Sequence, residues 1–265
     1  MLKQILYQHF KEIKDEDDRR VRSGDIHFSP SSVNACRRQI YYKWTNTMPS
    51  NPMTAHTYIK FWLGDITHEG IQKILKDRGY WVEGEEFKKK EMDGLLWVYR
   101  HDGMVEKDKA VALIEIKSTY MSGFNAVKEK PKDDHLKQLL MYMKLEKIDK
   151  GELLYIGRDN GFIVEYIVHD GKVWKDDGIM GETEVMDCPP ADFERLIELK
   201  QMIQDRKIPE RDCRAYMKNL KGNIVWKFQK NKVNYKTDWQ CSYCQWRDLC
   251  WEEEKKIAEV EGFFI

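Results

Sequence analysis

The stretch Ala110-Val-Ala-Leu-Ile-Glu-Ile-Lys-Ser118 predicts an apolar β-strand that ends in charged residues. Alternate residues of a strand share a face, so Glu115 and Lys117 are expected to project to the same side. Burying both charges without a function would be costly unless they pair with each other. The strand therefore indicates a candidate site within a strand-rich core.

A second carboxylate lies upstream in His101-Asp102-Gly103, which we expect to end the neighbouring strand. A hairpin between the two strands would bring Asp102 beside Glu115. Two carboxylates and a strand carbonyl form a hard oxygen site suited to Mg²⁺ or Mn²⁺. Lys117 could orient a water or balance charge on a phosphate. Taken singly, the Glu-x-Lys pair could also be a salt bridge and Asp102-Gly103 a hairpin turn.

Polar side chains also mark the helix expected over 134–146. His135, Gln138 and Tyr142 stand at i, i+3 and i+7 and share one face, which suggests a lined groove. His68, on a long helix expected over 53–78, could add an imidazole ligand and favour Mn²⁺ over Mg²⁺. Singly, these residues could equally serve packing or structure.

Four of the six cysteines form a separate pattern. Cys36 stands alone, and the others follow in Cys241-Ser-Tyr-Cys244-Gln-Trp-Arg-Asp-Leu-Cys250. In a chain with no recognisable secretory signal, such spacing indicates metal more than disulfides. Spacing does not separate zinc from an iron–sulfur cluster. Either metal centre would hold the C-terminal segment to the helix that carries Cys36. Cys188 and Cys213 are interpreted as ordinary thiols.

The combined order of these motifs resembles the PD-(D/E)XK nucleases of the RecB type. A histidine on a helix, an aspartate, Glu115-x-Lys117 and Gln138-x-x-x-Tyr142 follow in the order of that family. The segment Ser29-Pro-Ser-Ser-Val-Asn-Ala-Cys36-Arg-Arg-Gln-Ile-Tyr-Tyr42 and the C-x2-C-x5-C motif resemble its iron–sulfur branch. That branch includes CRISPR-associated RecB-like nucleases, AddB-type recombination nucleases and eukaryotic 5′ exonucleases. The resemblance spans roughly residues 29–250, although the catalytic aspartate is not preceded by proline.

The resemblance implies a restriction-endonuclease-like core and a role for each motif residue. The implied metal ligands are His68, Asp102 and Glu115. Lys117 would be the catalytic lysine, with Gln138 and Tyr142 orienting it or the DNA. The implied ligands of a 4Fe–4S cluster, with structural zinc as the alternative, are Cys36, Cys241, Cys244 and Cys250.

The implied function is metal-dependent hydrolysis of DNA, most simply as an exonuclease on single-stranded ends. The setting would be CRISPR adaptation beside an integrase, or phage or cellular recombination and repair. The chain has no Gly-x-x-x-x-Gly-Lys-Ser/Thr loop, so unwinding would need a partner such as a helicase. Alternatives are a non-catalytic iron–sulfur DNA-binding module, a partner-dependent nuclease subunit and an RNA-directed nuclease.

Basic and aromatic residues alternate over 221–236, which could form a surface that follows single-stranded DNA. A strand pair with solvated lysines is the alternative there, and arginines beside Cys36 could reach phosphate or only cap the helix. The candidate DNA-binding residues are Arg37, Arg38, His135, Lys227 and Lys230.

Bulk composition agrees with a globular enzyme. The 265 residues include 45 basic and 45 acidic ones, a balance that argues against a passive nucleic-acid coat. We expect one domain with segments 29–52, 53–170 and 171–265, and a cytoplasmic location, because no secretory signal or long apolar run is visible. The expected fold is α/β, a central mixed sheet flanked by helices, with the terminal helical segments joined by the cluster.

Local patterns predict the elements of this fold. The expected helices are 1–20, one from Ser29-Pro30 that carries Cys36, 53–78, 134–146 and 192–206. The expected strands are 80–87, 95–101, 110–117, 152–158 and 162–169. The stretch 121–133 is expected to be a polar connection.

Overall fold

The computed structural model describes residues 2–178, 181–190, 193–213, 216–218, 224–226 and 239–252. The chain forms two compact units. The terminal unit combines Met1–Gly24, Ala35–Ile59 and Glu198–Ile265, and therefore contains both chain ends. The central unit consists of Asp25–Asn34 and Lys60–Ile197.

Helices and strands are distributed throughout the residues that the structure describes. The α-helices are α1 Leu2–Asp18, α2 Arg37–Trp44, α3 Ala55–Asp77, α4 Met121–Val127, α5 Asp133–Glu146, α6 Glu194–Gln204, α7 Trp239–Ser242 and α8 Arg247–Cys250, with a 3₁₀ turn at Pro30–Ser32. The strands are β1 His27–Phe28, β2 Trp81–Glu83, β3 Lys88–Met92, β4 Leu95–Tyr99, β5 Gly103–Lys107, β6 Ala110–Thr119, β7 Gly151–Gly157, β8 Ile163–His169, β9 Lys172–Asp176, β10 Glu182–Asp187, β11 Tyr216–Lys218 and β12 Ile224–Trp226. No helix in the described ranges is long and apolar enough to cross a membrane.

A seven-stranded mixed sheet dominates the central unit, in the order β10-β9-β8-β7-β6-β5-β2. β6 and β7 run parallel, and the other neighbouring pairs are antiparallel. The parallel pair needs a crossover, which α4 and α5 supply. A smaller sheet has the order β1-β4-β3. The expected central mixed sheet flanked by helices is therefore confirmed, whereas a metal cluster joining the terminal segments stays a prediction.

Strand β6 separates two packing layers because its side chains alternate. Ala112, Ile114 and Ile116 form a buried cluster with Ile71 and Leu75 of α3. The intervening residues belong to the opposite face, where α5 supplies fully buried leucines. The apolar character of 110–116 thus comes from burial on both sides, and Glu115 is the exception that requires an explanation.

The hairpin before β6 differs from the expectation. Gly103 begins β5, and the turn lies instead at Asp108 and Lys109, whose φ values of 52° and 68° are left-handed. Gly103 is required in the sheet because a Cβ there would lie 2.6 Å from the Trp81 ring. His101-Asp102-Gly103 therefore precedes and begins the neighbouring strand and does not end it. The alternative of a hairpin turn at Asp102-Gly103 is also wrong, since the glycine serves close packing and not a turn.

Other boundaries also differ from the sequence prediction. Ser29-Pro30 begins only a 3₁₀ turn, because the Ser32 hydroxyl bonds to both the amide and the carbonyl of Ser29. Cys36 therefore precedes α2 and does not lie within a longer helix. The polar stretch 121–133 contains α4, whose Phe124 and Val127 are buried. The expected strand over 80–87 is reduced to β2, and the sheet extends through β9 and β10.

Candidate active site

The carboxylates of the candidate site meet where β5 begins and β6 approaches its end. Asp102 precedes β5, whose first residue pairs with Ile114 of β6. The Asp102 Oδ2 atom accepts a hydrogen bond of 2.7 Å from the Ile116 amide. Asp102 therefore lies beside Glu115 as expected, but the start of β5 places it there and a hairpin turn does not.

Helix α3 holds Asp102 at two points. The His68 Nδ1 atom lies 3.3 Å from Asp102 Oδ1. One turn later, Gln72 Nε2 donates a 2.7 Å hydrogen bond to the backbone carbonyl of Asp102. Gln72 is only 3% exposed, so this amide is a buried contact. Both the carboxylate and the backbone of Asp102 are thus fixed to the same helix.

Lys117 connects the strand to helix α5. Its Nζ atom forms an ion pair with Glu115 Oε1 and donates to Gln138 Oε1 at 3.1 Å. The amide of Gln138 contacts the Tyr142 hydroxyl at 3.4 Å, and that hydroxyl donates to the Arg100 carbonyl at 3.1 Å. Glu115 and Lys117 thus share the face towards α5, and Gln138 and Tyr142 fix the lysine from the helix.

Burial and neighbouring charges shift the pKa values of the two carboxylates in opposite directions. Burial raises the pKa of Glu115 to about 7; Lys117 opposes the shift and Asp102 adds to it. Burial also acts to raise the pKa of Asp102, but the His68 hydrogen bond and the Ile116 amide outweigh it and lower that pKa. Neighbouring carboxyl groups with separated pKa values are typical of functional sites.

The two carboxylates raise the pKa values of Lys117 and His68. Burial acts to lower the pKa of Lys117, but Glu115 and Asp102 more than offset it, so the pKa is raised. Burial likewise acts to lower the pKa of His68, and Asp102 reverses the shift. Lys117 therefore stays protonated, and His68 gains basicity from the carboxylate it contacts.

One oxygen of the site has no hydrogen-bond partner among the described residues. Glu115 is 1% exposed, and its Oε2 atom is buried without a hydrogen bond. Such an atom costs free energy unless a ligand satisfies it. Within the described residues, no three His, Cys, Asp or Glu side chains are already arranged as a metal cage. The donors nevertheless suit a hard divalent cation, because two carboxylates and an imidazole converge beside an unsatisfied oxygen.

The terminal unit brings its cysteines to one pocket. Cys36 precedes α2, Cys241 lies in α7, and Cys250 ends α8. These thiols line the pocket together with Cys244 and, in addition, Cys213. Burial raises the pKa of Cys244 to about 11, so this thiol would ionise only with a cation or metal beside it.

Three of the candidate DNA-binding residues have partners within the protein, and their role in DNA binding stays a prediction. Arg37 is paired with Asp212 at 2.7 Å, and Arg38 donates to the Pro209 carbonyl at 2.7 Å and to Cys250 Sγ at 3.5 Å. The Nδ1 atom of His135 lies 2.9 Å from the Tyr155 hydroxyl, and burial beside Lys117 lowers its pKa to about 4. Lys227 and Lys230, with most of the tract 221–236, lie outside the described residues.

Sequence reasoning missed two residues of these sites. Gln72 follows His68 by four positions on the same helix face, so its helical spacing could have revealed it. Cys213 has no partner at ligand spacing in the sequence, and only the folded chain brings it to Cys36.

Comparison with known proteins reveals a shared fold. No family model and no curated protein matches this chain. The crystal structure of SSO0001 aligns over 94% of this chain and 96% of its own, with 20% identity and a TM-score of 0.54. An alkaline exonuclease (LHK-Exo) from Laribacter hongkongensis aligns over 68% of this chain and 84% of its own, with 14% identity and a TM-score of 0.39. Its complex with dAMP aligns with 13% identity and a TM-score of 0.39, over 68% of this chain and 85% of its own. The likeness to SSO0001 concerns the fold, so function must be argued from the residues of the site.

Proposed function

We propose that this chain is a divalent-metal-dependent deoxyribonuclease that acts as an exonuclease on single-stranded DNA ends. The observation that carries the proposal is the buried Oε2 of Glu115, which has no hydrogen-bond partner in the described part of the chain and lies near Asp102 and Lys117. A salt bridge alone would not need this arrangement, because one lysine could satisfy an exposed carboxylate without the cost of burial. A bound cation would satisfy the oxygen and stabilise both carboxylates.

The residues of the site suit phosphodiester hydrolysis. His68, Asp102 and Glu115 would hold the cation. When bound, it would lower the pKa of water and offset the charge that develops on the phosphate. Lys117 is held by Glu115 and Gln138, where its ammonium can orient the attacking water or stabilise a phosphate oxygen.

Helix α5 supports this role of the lysine. The chain of hydrogen bonds from Lys117 through Gln138 and Tyr142 ends on the backbone of Arg100. Together with the Glu115 ion pair, this chain fixes the ammonium from two sides and reduces the number of positions that the group can take. Gln138 and Tyr142 are therefore assigned as positioning residues for Lys117.

We also propose that the thiol pocket of the terminal unit holds a 4Fe–4S cluster with a structural role, and structural zinc is the alternative. The supporting observation is the convergence of cysteines from both ends of the chain on one pocket. Iron, sulfide and zinc analysis of the purified protein, with a visible absorption spectrum, separates the two. Zinc without iron in anaerobically prepared protein would reject the iron–sulfur assignment.

A nuclease assay tests the main proposal. End-labelled linear and circular single-stranded DNA are incubated with Mn²⁺ or Mg²⁺ and with wild type, Glu115→Ala or Lys117→Ala. Lys73→Ala is the matched control, because Lys73 lies on the exposed side of α3 and forms an ion pair with Asp77 of the same helix. We expect the wild type and the control to degrade the linear strand and spare the circle, and both site variants to be inactive. Equal activity of all four proteins would refute the assignment.

Matched RNA and DNA oligonucleotides test the sugar preference, and cleavage of RNA alone would replace the proposed substrate. The proposed partners, an integrase in CRISPR adaptation or a helicase in recombination and repair, are tested by co-purification. If the wild type is inactive with either metal, addition of such a partner distinguishes a partner-dependent subunit from a non-catalytic DNA-binding module.

A further inference from the structure

The segment that carries Cys213 is clamped to the start of α2. The Arg37 amide donates to Asp212 Oδ2 at 2.7 Å, and its Nε donates to Oδ1 at 2.8 Å. Cys36 precedes Arg37 and Cys213 follows Asp212, so this charged clamp lies directly beside both sulfurs. A clamp that uses both the backbone and the guanidinium fixes the register of the two segments.

Further contacts strengthen the same junction within the terminal unit. Arg38 Nε donates to the Pro209 carbonyl at 2.7 Å, and the Tyr41 hydroxyl donates to the Arg206 carbonyl at 3.0 Å. Three residues of α2 thus hold three residues that precede Cys213, namely Asp212, Pro209 and Arg206. The adjacency of the two thiols is consequently part of the framework and not a chance contact of two surface side chains.

The two thiols lie in one pocket. Cys36 and Cys213 both line the pocket that the other three cysteines share, and the Arg37–Asp212 contacts hold the neighbouring residues together. Interaction with Cys213 and burial raise the pKa of Cys36. A tetrahedral zinc ion or a four-cysteine cluster takes four thiolates, so a pocket with five contains one more than either needs. Cys213 is the one that the metal-binding spacing does not include.

We propose that Cys36 and Cys213 form a disulfide when the pocket contains no metal, with a peroxide as the oxidant. One thiol loses its proton, and its thiolate attacks hydrogen peroxide; the displaced hydroxide takes up a proton, so the products are a sulfenic acid and one water. The second thiol then displaces the sulfenic hydroxyl as another water, so two thiols and one peroxide give one disulfide and two waters. Bound metal would occupy Cys36 and block this reaction.

The consequence is protection of the empty site. Oxidation to a disulfide can be reversed by a reductant, whereas an isolated sulfenic acid can be oxidised further to an irreversible product. Reduction by a dithiol would regenerate both thiols and allow a metal to bind again. This inference depends on the thiol pocket alone and stands whether or not the central unit is a nuclease.

The test uses the full chain, reduced and stripped of metal with a chelator, and exposed to hydrogen peroxide. Free thiols are alkylated and linked peptides are identified by mass spectrometry. We expect the wild type to lose two of its six thiols and to yield a Cys36–Cys213 peptide. Metal-loaded protein should form the link at least ~10-fold more slowly, because the metal holds the Cys36 thiolate.

Variants separate the specific pair from general oxidation. Cys213→Ser should remove the linked peptide and leave Cys36 as sulfenic or higher acid, while Cys188→Ser, outside the pocket, should behave as wild type. Asp212→Asn, which weakens the clamp at constant size, should slow linkage roughly 5- to 10-fold through a lower effective concentration. Circular dichroism of each variant confirms folding. A link from Cys36 to another cysteine, no link in the wild type, or equal rates with and without metal would overturn the proposal.

Discussion

The carboxylate site of the central unit and the thiol pocket of the terminal unit use different ways of bringing ligands together. In the central unit, Glu115 and Lys117 lie two residues apart on one strand, and Asp102 lies at the start of the strand beside it. In the terminal unit, Cys36 and Cys250 are separated by most of the chain and meet only through tertiary contacts. The first site is fixed by strand register, and the second by closure of a long loop.

This difference affects what each site contributes. A site on a paired strand keeps its geometry without a ligand, so the carboxylate site would bind and release the proposed cation without refolding. A site that joins distant segments gains most from a ligand that holds them, since the metal then contributes to folding. This difference agrees with the roles proposed above, which are catalytic for the carboxylate site and structural for the thiol pocket.

The largest expected effect comes from a substitution that disrupts the carboxylate site alone. Lys117→Ala removes the ammonium between Glu115 and Gln138, and we expect nuclease activity to fall by at least about 1000-fold, a magnitude typical of lost electrostatic stabilisation. The metal proposed for the thiol pocket should be unchanged, since all of the cysteines that line that pocket lie in the other unit. Rates on labelled DNA and metal analysis of the same sample check this. Loss of both activity and pocket metal would show that the substitution disturbs the whole chain.

The converse change is Cys250→Ala. We expect loss of pocket metal and a melting temperature lower by roughly 5 °C or more, because the segment at the end of α8 is no longer fixed. Cys188→Ala is the control, since Cys188 is half-buried in the central unit and takes no part in the pocket. Calorimetry with metal analysis measures both quantities. If Cys250→Ala kept wild-type stability and metal content, the hypothesis that a metal centre holds the C-terminal segment to the Cys36 helix would be wrong.

The same contrast decides how much the sequence could predict. Alternation along 110–118 correctly predicted a shared face for Glu115 and Lys117, because strand periodicity is local. The sequence did not predict that Gly103 packs under Trp81 and that the turn lies at Asp108, because that choice depends on a side chain from another strand. Cys213 was missed for the same reason, since its partner Cys36 is distant in sequence.

A smaller effect concerns the support of the carboxylate site. Gln72→Leu keeps the volume but removes the hydrogen bond to the Asp102 carbonyl, and we expect Mn²⁺ affinity to fall roughly 10- to 100-fold, as for other residues that orient metal ligands. Gln72→Glu should not restore it, because an ionised carboxylate cannot donate to a carbonyl. Lys73→Ala on the exposed side of α3 is the control. Calorimetric titration gives the affinities, and unchanged binding in Gln72→Leu would exclude a positioning role.

The smallest expected effect is the pH dependence of metal binding in the carboxylate site. The pKa of Glu115 is raised to about 7, so protons compete with a cation below neutral pH. For this group alone, affinity should fall about fivefold from pH 7 to pH 6 and only about twofold from pH 8 to pH 7. The raised pKa of His68 acts in the same direction, because the imidazole must lose its proton before it can bind a metal. Titration of Mn²⁺ at these three pH values measures the trend, with the thiol pocket loaded throughout. Constant affinity would mean that Glu115 does not bind the cation. Higher affinity at pH 6 would contradict the proposal that protons compete with the cation for Glu115 and His68.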